Sequence, residues 1–324
     1  MTRSGRLRVA VVGAGAFGIK HLDGLMNIDG VEVVSIVGRK RLQAELVAAR
    51  YGAGHATTQL DETLVRDDVD AVILCTPTPL HAAQAIAAMR AGKHVQVEIP
   101  LAQSWADAVD VARTAEETGR VCMVGHTRRF NPSHQWIHDR ITAGELSIQH
   151  LIAQTCFFRR TNTNALGQPR SWTDHLLWHH AAHTVDLFQY QTGEPVTVAN
   201  AMAGPLDERL GIAMDMSIQL ATETGKLCTL SLSFNDDGPL GTGFKYIGDT
   251  GTYLARYDDL VSGRGDPVDL TPYTRVSANG VELQDREFVT ALRQGRAPNA
   301  SVTDVLPCYG VLDQLEYRLT APAG

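Results

Sequence analysis

Four histidines crowd a short stretch near the middle of the chain. His175, His179, His180 and His183 are followed by Asp186. On a regular helix, at 100° per residue, all of these except His180 fall within an arc of about 80°, and His180 lies about 100° from His179. A neutral imidazole with a pKa of about 6.5 accepts a proton at cellular pH, and a carboxylate can orient the ring. The pattern predicts acid–base catalysis by His183 or His179, with His180 as a third candidate.

Two other interpretations of these histidines stay open. A His-x-x-x-His pair such as His179 and His183 can bind zinc, and His175 is equally well explained by packing in the core. Against zinc, no Glu follows the first histidine, and the scattered cysteines at positions 75, 122, 156, 228 and 308 form no Cys-x-x-Cys pair. We therefore predict no metal, and we interpret the cysteines as reduced thiols of a cytoplasmic protein.

A glycine-rich turn near the N-terminus predicts a dinucleotide site. The run Gly13-Ala14-Gly15-Ala16-Phe17-Gly18 follows a short apolar strand and opens an amphipathic segment. Glycines in this context let the backbone approach a pyrophosphate at the N-terminus of a helix. The cofactor-binding residues expected in this turn are Gly13, Gly15, Ala16, Phe17 and Gly18; a mere tight turn is the alternative.

The end of the second predicted strand distinguishes NADP from NAD. An NAD enzyme normally places Asp or Glu there for the ribose hydroxyls. This chain has no acid there; instead Gly38 is followed by Arg39, Lys40 and Arg41. A guanidinium can bind a 2′-phosphate that a carboxylate would repel. We predict NADP, bound by Arg39 and Lys40, with NAD as a weaker substitute; a solvated basic start of a helix is the alternative.

These residues need elements that position them, and the first 125 residues alternate strand and helix patterns. Apolar runs predict strands over residues 9–12, 31–37, 71–74, 94–97 and 121–124, and amphipathic segments predict helices over 17–26, 42–50, 81–90 and 105–117. Such alternation is typical of a parallel sheet built from βαβ units. The prediction is an α/β fold with a Rossmann domain over residues 1–125.

The second half of the chain has a different order of predicted elements, with one strand following another. Strand patterns occupy residues 148–158, a segment from residue 200 onward, 214–220 and 227–234, and Gly225 suggests a hairpin. One long helix is predicted over residues 172–191 and another over 304–319. Residues 126–324 are therefore expected to form an α+β substrate-binding and oligomerisation domain with an open, mostly antiparallel sheet, on which the last helix packs back.

The amino-acid composition excludes several classes of protein. The 324 residues are 44% hydrophobic and 20% charged, and the formal net charge is −7. These values exclude a collagen, a coiled coil and a disordered chain, and the mild acidity argues against a nucleic-acid partner. No apolar run reaches the roughly 18 residues of a membrane span, and residues 1–8 lead into a strand without the pattern of a signal peptide. We expect a small-molecule partner and no membrane.

Several motifs together resemble the Gfo/Idh/MocA oxidoreductases. They are the glycine turn, residues 75–81 (Cys-Thr-Pro-Thr-Pro-Leu-His), residues 92–102 around Glu98, residues 129–132 (Arg-Phe-Asn-Pro) and the helix from His179 to Asp186. The resemblance covers nearly the whole chain. It implies that Thr76 and Pro77, with His81 beside them, line the nicotinamide side and that Glu98 contacts the nicotinamide ribose. It also implies a homo-oligomer, with a dimer expected, associating through the outer face of the sheet.

The chain departs from the common family pattern at two positions. Where the family usually has Glu-Lys-Pro, this chain has Glu98-Ile99-Pro100. Where the family usually has Asp-x-x-x-His, this chain has His179-x-x-x-His183. With residues 170–186, these changes resemble a narrower group in the family, which oxidises a cyclic hemiacetal carrying two carboxylates. The substrate-binding residues then expected are Ile99, Pro100, Arg129, Arg170, Trp172 and Trp178, with Arg128, Arg159 and Arg160 as further candidates for the carboxylates.

Two rival functions remain at this stage. A sugar or inositol dehydrogenase of the same family would be expected to keep the lysine that Ile99 replaces. The missing lysine also suits a non-catalytic NADP(H)-binding sensor, although the histidines of the 172–191 helix argue against it.

Overall fold

The computed structural model describes residues 5–163, 167, 169–170, 172–238, 241–256 and 259–320. Ser171 of the histidine-rich motif and the ends of the two predicted domains, residues 1–4 and 321–324, lie outside the described residues. Two compact units lie within residues 1–125 with 281–306, and within 126–280 with 307–324. The expected division therefore differs over residues 281–306, which belong to the first unit because their helix is hydrogen-bonded to its sheet and first helix.

The first unit is built on a six-stranded parallel sheet in the order β3-β2-β1-β4-β5-β6. Its strands are β1 (Leu7–Val12), β2 (Val31–Val37), β3 (His55–Thr57), β4 (Ala71–Leu74), β5 (His94–Val97) and β6 (Cys122–Val124). Its first helices are α1 (Ala16–Leu25), α2 (Arg41–Tyr51), α3 (Leu60–Leu64), α4 (His81–Arg90) and α5 (Trp105–Thr118). A 3₁₀ turn, Thr78–Leu80, precedes α4. The predicted Rossmann fold is confirmed.

The central strands align their carboxyl ends. Val12, the last residue of β1, pairs with Val37 of β2 and with Leu74 of β4. Backbone hydrogen bonds continue past the strands, from Gly13 N to Val37 O (2.8 Å) and from Cys75 N to Val12 O (2.7 Å). The strand order reverses at β1 and β4, which is where open α/β sheets bind their ligands.

The second unit contains a seven-stranded sheet in the order β13-β12-β11-β7-β10-β9-β8. Its elements in chain order are a 3₁₀ turn (Thr127–Phe130), α6 (Pro132–Thr142), β7 (Ile148–Cys156), a π-helix (Leu176–Ala181), α7 (Ala182–Thr192), β8 (Val196–Ala203), β9 (Asp215–Thr222), β10 (Leu227–Ser233), β11 (Gly241–Gly248), β12 (Thr252–Arg256), β13 (Asp259–Ser262) and α8 (Thr271–Thr274). Only the central pair β7 and β10 is parallel. The predicted mostly antiparallel sheet is confirmed.

The single regular helix predicted over residues 172–191 is wrong. His175 has extended backbone angles, the chain then forms the π-helix, and only from Ala182 is it α-helical. Consecutive buried side chains at Leu176, Leu177 and Trp178 hide the change of period, because a helix buried on several sides has no apolar stripe to reveal its pitch.

Two helices complete the chain. Helix α9 (Gly280–Gln294) lies almost entirely within the first unit, and α10 (Val302–Thr320) begins in the first unit and continues in the second. The sequence predicted α10 within two residues at each end and gave no signal for α9. Within the described part of the chain, no helix has both the length and the apolar character needed to cross a membrane.

Candidate active site

The glycine turn between β1 and α1 is closely packed at two glycines and open at the third. Gly13 has φ +116°, and a Cβ there would lie 2.4 Å from the carbonyl oxygen of Cys75. A Cβ on Gly18 would lie 1.8 Å from the carbonyl oxygen of Gly13. The Cβ position of Gly15, the N-cap of α1, meets none of the described atoms within 4 Å. Packing therefore requires Gly13 and Gly18, whereas the space beside Gly15 suits a pyrophosphate at the helix N-terminus.

The next two predicted residues of the turn begin α1. Ala16 is half-buried, and the Phe17 ring is 51% exposed with the Lys20 ammonium 4.7 Å from its centroid. Both side chains are therefore at least partly accessible at the start of α1.

Two of the three cations that follow β2 are available to an anion. Arg41 donates from Nε to Glu45 at 2.7 Å, whereas Arg39 and Lys40 are exposed and form no ion pair within the described ranges. A Cβ on Gly38 would lie 3.1 Å from the Ala44 methyl and 3.2 Å from that of Ala14. Gly38, where an NAD enzyme would have an acid, is therefore a position with little room for any side chain.

His81 joins the loops that follow β4 and β5. Its ring is 1% exposed, with Nε2 2.8 Å from the carbonyl oxygen of Thr76 and Nδ1 2.8 Å from that of Pro100. Burial lowers the pKa of His81. Pro77 and Ile99 are half-buried in these loops. The ring therefore holds the two loops together, and a direct contact of His81 with a cofactor stays a prediction.

Glu98 is anchored through one of its two carboxylate oxygens. Its Oε1 accepts a hydrogen bond from Gln284 Nε2 (3.2 Å) and lies 3.1 Å from His21 Nε2. Burial alone would raise the pKa of Glu98, but the hydrogen bond from His21 outweighs it and the pKa is lowered. Within the described part of the chain, Oε2 has no hydrogen bond, so an ionised oxygen is left for a ligand hydroxyl. No local motif of the sequence points to His21 or Gln284.

In the second unit, the π-helix places His179 against Trp172. The two rings stack with centroids 5.2 Å apart and planes 19° apart. His179 is 7% exposed, and its Nδ1 accepts a hydrogen bond from the backbone N–H of His175 at 3.3 Å. Trp172 itself is half-buried. His179 is thus held in a fixed orientation with little of its ring accessible.

His183, at the start of α7, has the environment of a proton acceptor. The side chain is half-buried, and Nδ1 has no hydrogen-bond partner among the described residues. Burial lowers the pKa of His183 well below its usual range, and the Arg128 guanidinium and the neighbouring His126 lower it further. The imidazole is therefore neutral near pH 7 with a ring nitrogen unused by the protein.

Asp186 does not orient the predicted histidines. It forms a bidentate ion pair with Arg129, whose Nε and Nη2 lie 2.8 and 2.5 Å from its oxygens. Burial would raise the pKa of Asp186, but the Arg129 charge outweighs it and lowers the pKa. Because Arg129 is 5% exposed and directed at this carboxylate, it forms a buried ion pair, and its predicted contact with a substrate carboxylate stays a prediction.

His126 is a site residue that sequence reasoning missed. Its Nδ1 lies 3.4 Å from Asp186 Oδ2, and its ring meets that of His183 edge to face with centroids 6.3 Å apart. Its place two residues after β6, the last strand of a parallel sheet, is the signal that could have found it, since sites gather at the carboxyl ends of strands.

A second polar cluster surrounds Asp174. Oδ1 accepts a hydrogen bond from Arg170 (2.7 Å) and forms an ion pair with Arg159 (2.5 Å), and Oδ2 lies 3.5 Å from His180 Nε2. Burial would raise the pKa of Asp174, but His180 and the two arginines hold it below its usual range. Two guanidiniums against one carboxylate leave a surplus positive charge beside His180.

The remaining predicted residues divide between the site and the core. Arg170 also lies over the Trp172 indole, 5.4 Å from its centroid. Trp178 is 1% exposed and donates from Nε1 to Glu316 at 2.8 Å. Its predicted contact with substrate is therefore corrected: Trp178 is a core residue with a satisfied indole N–H. Among the described residues, no group of three or more His, Cys, Asp or Glu side chains is arranged so that it could hold a metal ion.

Comparisons with known proteins agree with this architecture. Residues 7–126 match the profile described as an oxidoreductase family with an NAD-binding Rossmann fold, and residues 132–274 match that of bacterial oxidoreductases, C-terminal. The class of protein is therefore an oxidoreductase with an NAD-binding Rossmann fold.

One curated relative is similar over almost the entire chain. It is the 4-carboxy-2-hydroxymuconate-6-semialdehyde dehydrogenase of Sphingobium sp. strain SYK-6, 68% identical over 97% of this chain and 99% of its own length. The chain belongs to the Gfo/Idh/MocA family of oxidoreductases.

More distant matches show the breadth of the family. The scyllo-inositol 2-dehydrogenase (NAD(+)) of Bacillus subtilis is 26% identical over 93% of this chain and 90% of its own length. Among solved structures, an NAD binding oxidoreductase from Klebsiella pneumoniae superposes with a TM-score of 0.86 at 19% identity, covering 98% of both chains. That likeness supports the fold alone.

Proposed function

We propose that this oxidoreductase uses NADP⁺ to oxidise the cyclic hemiacetal of 4-carboxy-2-hydroxymuconate-6-semialdehyde to 2-pyrone-4,6-dicarboxylate. The reaction belongs to the protocatechuate 4,5-cleavage route of aromatic, lignin-derived carbon. The observation that carries the proposal is the 68% identity, over nearly the full length of both chains, to the dehydrogenase named for this semialdehyde. The geometry of the site supports each part of the chemistry.

The residues of the first unit fit a dinucleotide. The open space beside Gly15 at the N-terminus of α1 suits the pyrophosphate, and the exposed Arg39 and Lys40 suit a 2′-phosphate. Thr76 and Pro77 would line the nicotinamide side, and Glu98 would accept a hydrogen bond from the nicotinamide ribose. A bound NADP⁺ would supply the acceptor for the hydride of the hemiacetal carbon.

His183 takes the hydroxyl proton in this proposal, with His179 beside it and His180 as further candidates. The pKa of His183 lies well below its usual range, so the ring is neutral at cellular pH and is not already protonated when the hydroxyl proton leaves. Its unpartnered Nδ1 needs no bond broken before it does so.

The Asp174 cluster suits the substrate carboxylates. Arg159 and Arg170 are held by Asp174, and their surplus charge attracts an anion despite the chain's net charge of −7. The face of Trp172 offers a stacking surface for a flat ring. Ile99, with Pro100 next to it, provides an apolar wall where a sugar dehydrogenase would be expected to place a lysine.

The proposal includes a cytoplasmic homodimer that associates through the outer face of the second sheet. Large apolar side chains are exposed on strands of this sheet, among them Ile152, Val198, Met202, Leu227 and Leu254. Burying them would remove apolar surface from water. Light scattering coupled to gel filtration tests this part separately from the activity, and a monomer at micromolar concentration would contradict it.

The test is a substrate and cofactor panel followed by the absorbance of the reduced nicotinamide. We expect turnover with the semialdehyde, faster with NADP⁺ than with NAD⁺, and little with glucose or inositols. Turnover of inositols but not of the semialdehyde would favour the function named for the Bacillus subtilis relative. Binding of NADPH with no turnover of any substrate would favour a sensor.

A further inference from the structure

Five polar side chains in the interior of the first unit form what we call the His21 cluster: His21, Gln96, Glu98, Gln284 and Asp285. His21 lies on α1, Gln96 on β5, Glu98 directly after β5, and the other two on α9. Glu98 is 8% exposed and the other four are fully buried. Because buried charges are costly unless they are paired, this concentration of them requires an explanation.

The imidazole of His21 bridges two carboxylates. Its Nδ1 lies 2.8 Å from Asp285 Oδ1, and its Nε2 lies 3.1 Å from Glu98 Oε1. An ionised carboxylate only accepts hydrogen bonds, and a neutral imidazole donates from only one nitrogen. The geometry at both nitrogens is therefore satisfied when the ring carries two protons and a positive charge.

The groups around His21 favour that charged ring. Facing it are Asp285 from α9, Glu98 from the end of β5 and the Cys75 thiol from the end of β4. Burial would lower the pKa of His21, but the contact with the Asp285 carboxylate outweighs that effect and raises the pKa well above the usual range. Burial raises the pKa of Asp285 against the opposing effect of His21.

The cluster is poorly satisfied for a purely structural core. Asp285 Oδ2 and Gln96 Oε1 are buried with no hydrogen-bond partner among the described residues. A Cβ on Gly24 would lie 3.2 Å from Asp285 Oδ2, so the adjacent turn of α1 leaves little space beside this atom. Packing apolar side chains of similar volume would avoid these desolvation costs, so stability does not account for the arrangement.

We propose that His21 is a positioning residue of the cofactor site. Its charged ring, held by Asp285, fixes Glu98 Oε1 so that Oε2 is presented to the ribose hydroxyl of the dinucleotide. This inference rests on the role of Glu98 in the proposed function. It assigns a task to two residues, His21 and Asp285, that do not touch the cofactor.

The test is Asp285→Asn, which keeps the shape of the side chain and removes its charge. NADPH and NADH are both titrated by fluorescence without any substrate, at several pH values from 6 to 9. We expect on the order of tenfold weaker binding of whichever dinucleotide the wild type prefers, since a charge-assisted hydrogen bond is weakened. The deficit should grow as pH rises, because without the Asp285 charge less opposes the effect of burial and His21 loses its proton at a lower pH than in the wild type.

A matched control is Asp70→Asn in the same unit. Asp70 is a carboxylate that is only partly buried, and it pairs with Arg8 at 2.7 Å outside the His21 cluster. We expect this variant to melt at a lower temperature while binding the dinucleotide as the wild type does at every pH. Equal losses of affinity in both variants, or a folded Asp285→Asn protein with unchanged and pH-independent affinity, would overturn the proposal.

A measurement on the wild type keeps the proposal falsifiable if Asp285→Asn does not fold. Nitrogen NMR of the labelled histidine rings distinguishes charged from neutral imidazole without any activity. We expect one ring, identified as His21 by its loss in His21→Gln, to remain charged at pH 8. A neutral His21 ring at pH 7 would overturn the inference, whereas a wrong substrate or cofactor preference would leave this measurement unaffected.

Discussion

The Nδ1 atom of His183 is buried without a hydrogen-bond partner in the described part of the chain, beside the Arg128 guanidinium. If it is the base, His183→Asn should lower kcat by roughly 100- to 10,000-fold while leaving NADPH affinity nearly unchanged. Wild-type kcat should fall only in acid, as the pH drops through the lowered pKa and the ring gains its proton.

The control is His150→Asn, because His150 lies on β7 with its Nε2 3.0 Å from the Thr229 hydroxyl. Stopped-flow and steady-state rates with the semialdehyde compare the two variants. Near-normal turnover in His183→Asn, and again in His179→Asn, would refute a histidine base on this helix.

The exposed guanidinium of Arg39 leads to a second expectation. Arg39→Ala should raise the KM for NADP⁺ several-fold. This effect lies toward the low end of what the loss of a charge-assisted hydrogen bond causes, because Lys40 also binds the phosphate. NAD⁺ lacks that phosphate, so its KM should hardly change. Arg50→Ala, at the other end of α2, is the matched control, and kcat/KM for both cofactors is the measurement. A wild type that prefers NAD⁺, or an Arg39→Ala enzyme that loses both cofactors equally, would contradict the assignment.

At the scale of elements, different glycines of the β1–α1 turn are required for packing and for binding of the dinucleotide. Gly15→Ala places its methyl in open space, so the melting temperature should stay near that of the wild type while NADPH binding weakens strongly. Gly18→Ala forces a methyl against the Gly13 carbonyl and should destabilise the unit itself. Thermal unfolding and NADPH titration of both variants check this. A Gly15→Ala protein that binds NADPH normally would mean that the pyrophosphate lies elsewhere.

The sequence predicts elements well where one signal dominates. The segments 31–37, 71–74 and 94–97 became β2, β4 and β5 without change, because short segments rich in β-branched and apolar residues favour strands. Strand β3 and helix α3 escaped notice, because segments of three and five residues are too short for a periodic pattern.

The site was predicted where chemistry follows from local motifs, and missed where it depends on distant parts of the chain. The glycine turn and the histidine-rich stretch are local. The link between His21 and Asp285 joins residues 264 positions apart, which no spacing rule reports. The assumption of 100° per residue also failed, because the π-helix changes the angular relation of His175 and His179 to Asp186.

Considered as a whole molecule, the chain carries several carboxylates with lowered pKa values, among them Asp70, Glu98, Asp186 and Glu194. Each contributes stability that is fully present above its unfolded pKa and lost as the pH falls through its folded pKa. The hydrogen bond from Lys226 lowers the pKa of Glu194 to about 2, from an ordinary value of 4.5. We therefore expect the free energy of unfolding to fall steeply between about pH 4.5 and pH 2.

Urea unfolding at a series of pH values measures this loss. Glu194→Gln should be less stable than the wild type at pH 7 and should lose less stability on acidification, since its titration is removed. Glu208→Gln, at an exposed carboxylate, should follow the wild-type curve. Parallel curves for all three proteins would show that the Glu194–Lys226 pair contributes nothing.

Helix α9 has a consequence for how the protein is made. A ribosome releases β1, α1 and all six strands of the first sheet long before it releases residue 285. At a synthesis rate of roughly 5–20 residues per second, Asp285 is added on the order of tens of seconds after His21, its hydrogen-bond partner. During that time the nascent chain has the glycine turn but neither Asp285 nor Gln284 to fix Glu98. An expressed fragment ending at residue 125 would lack the same two residues for good, so a stand-alone version of the dinucleotide unit has to carry residues 281–306 as well.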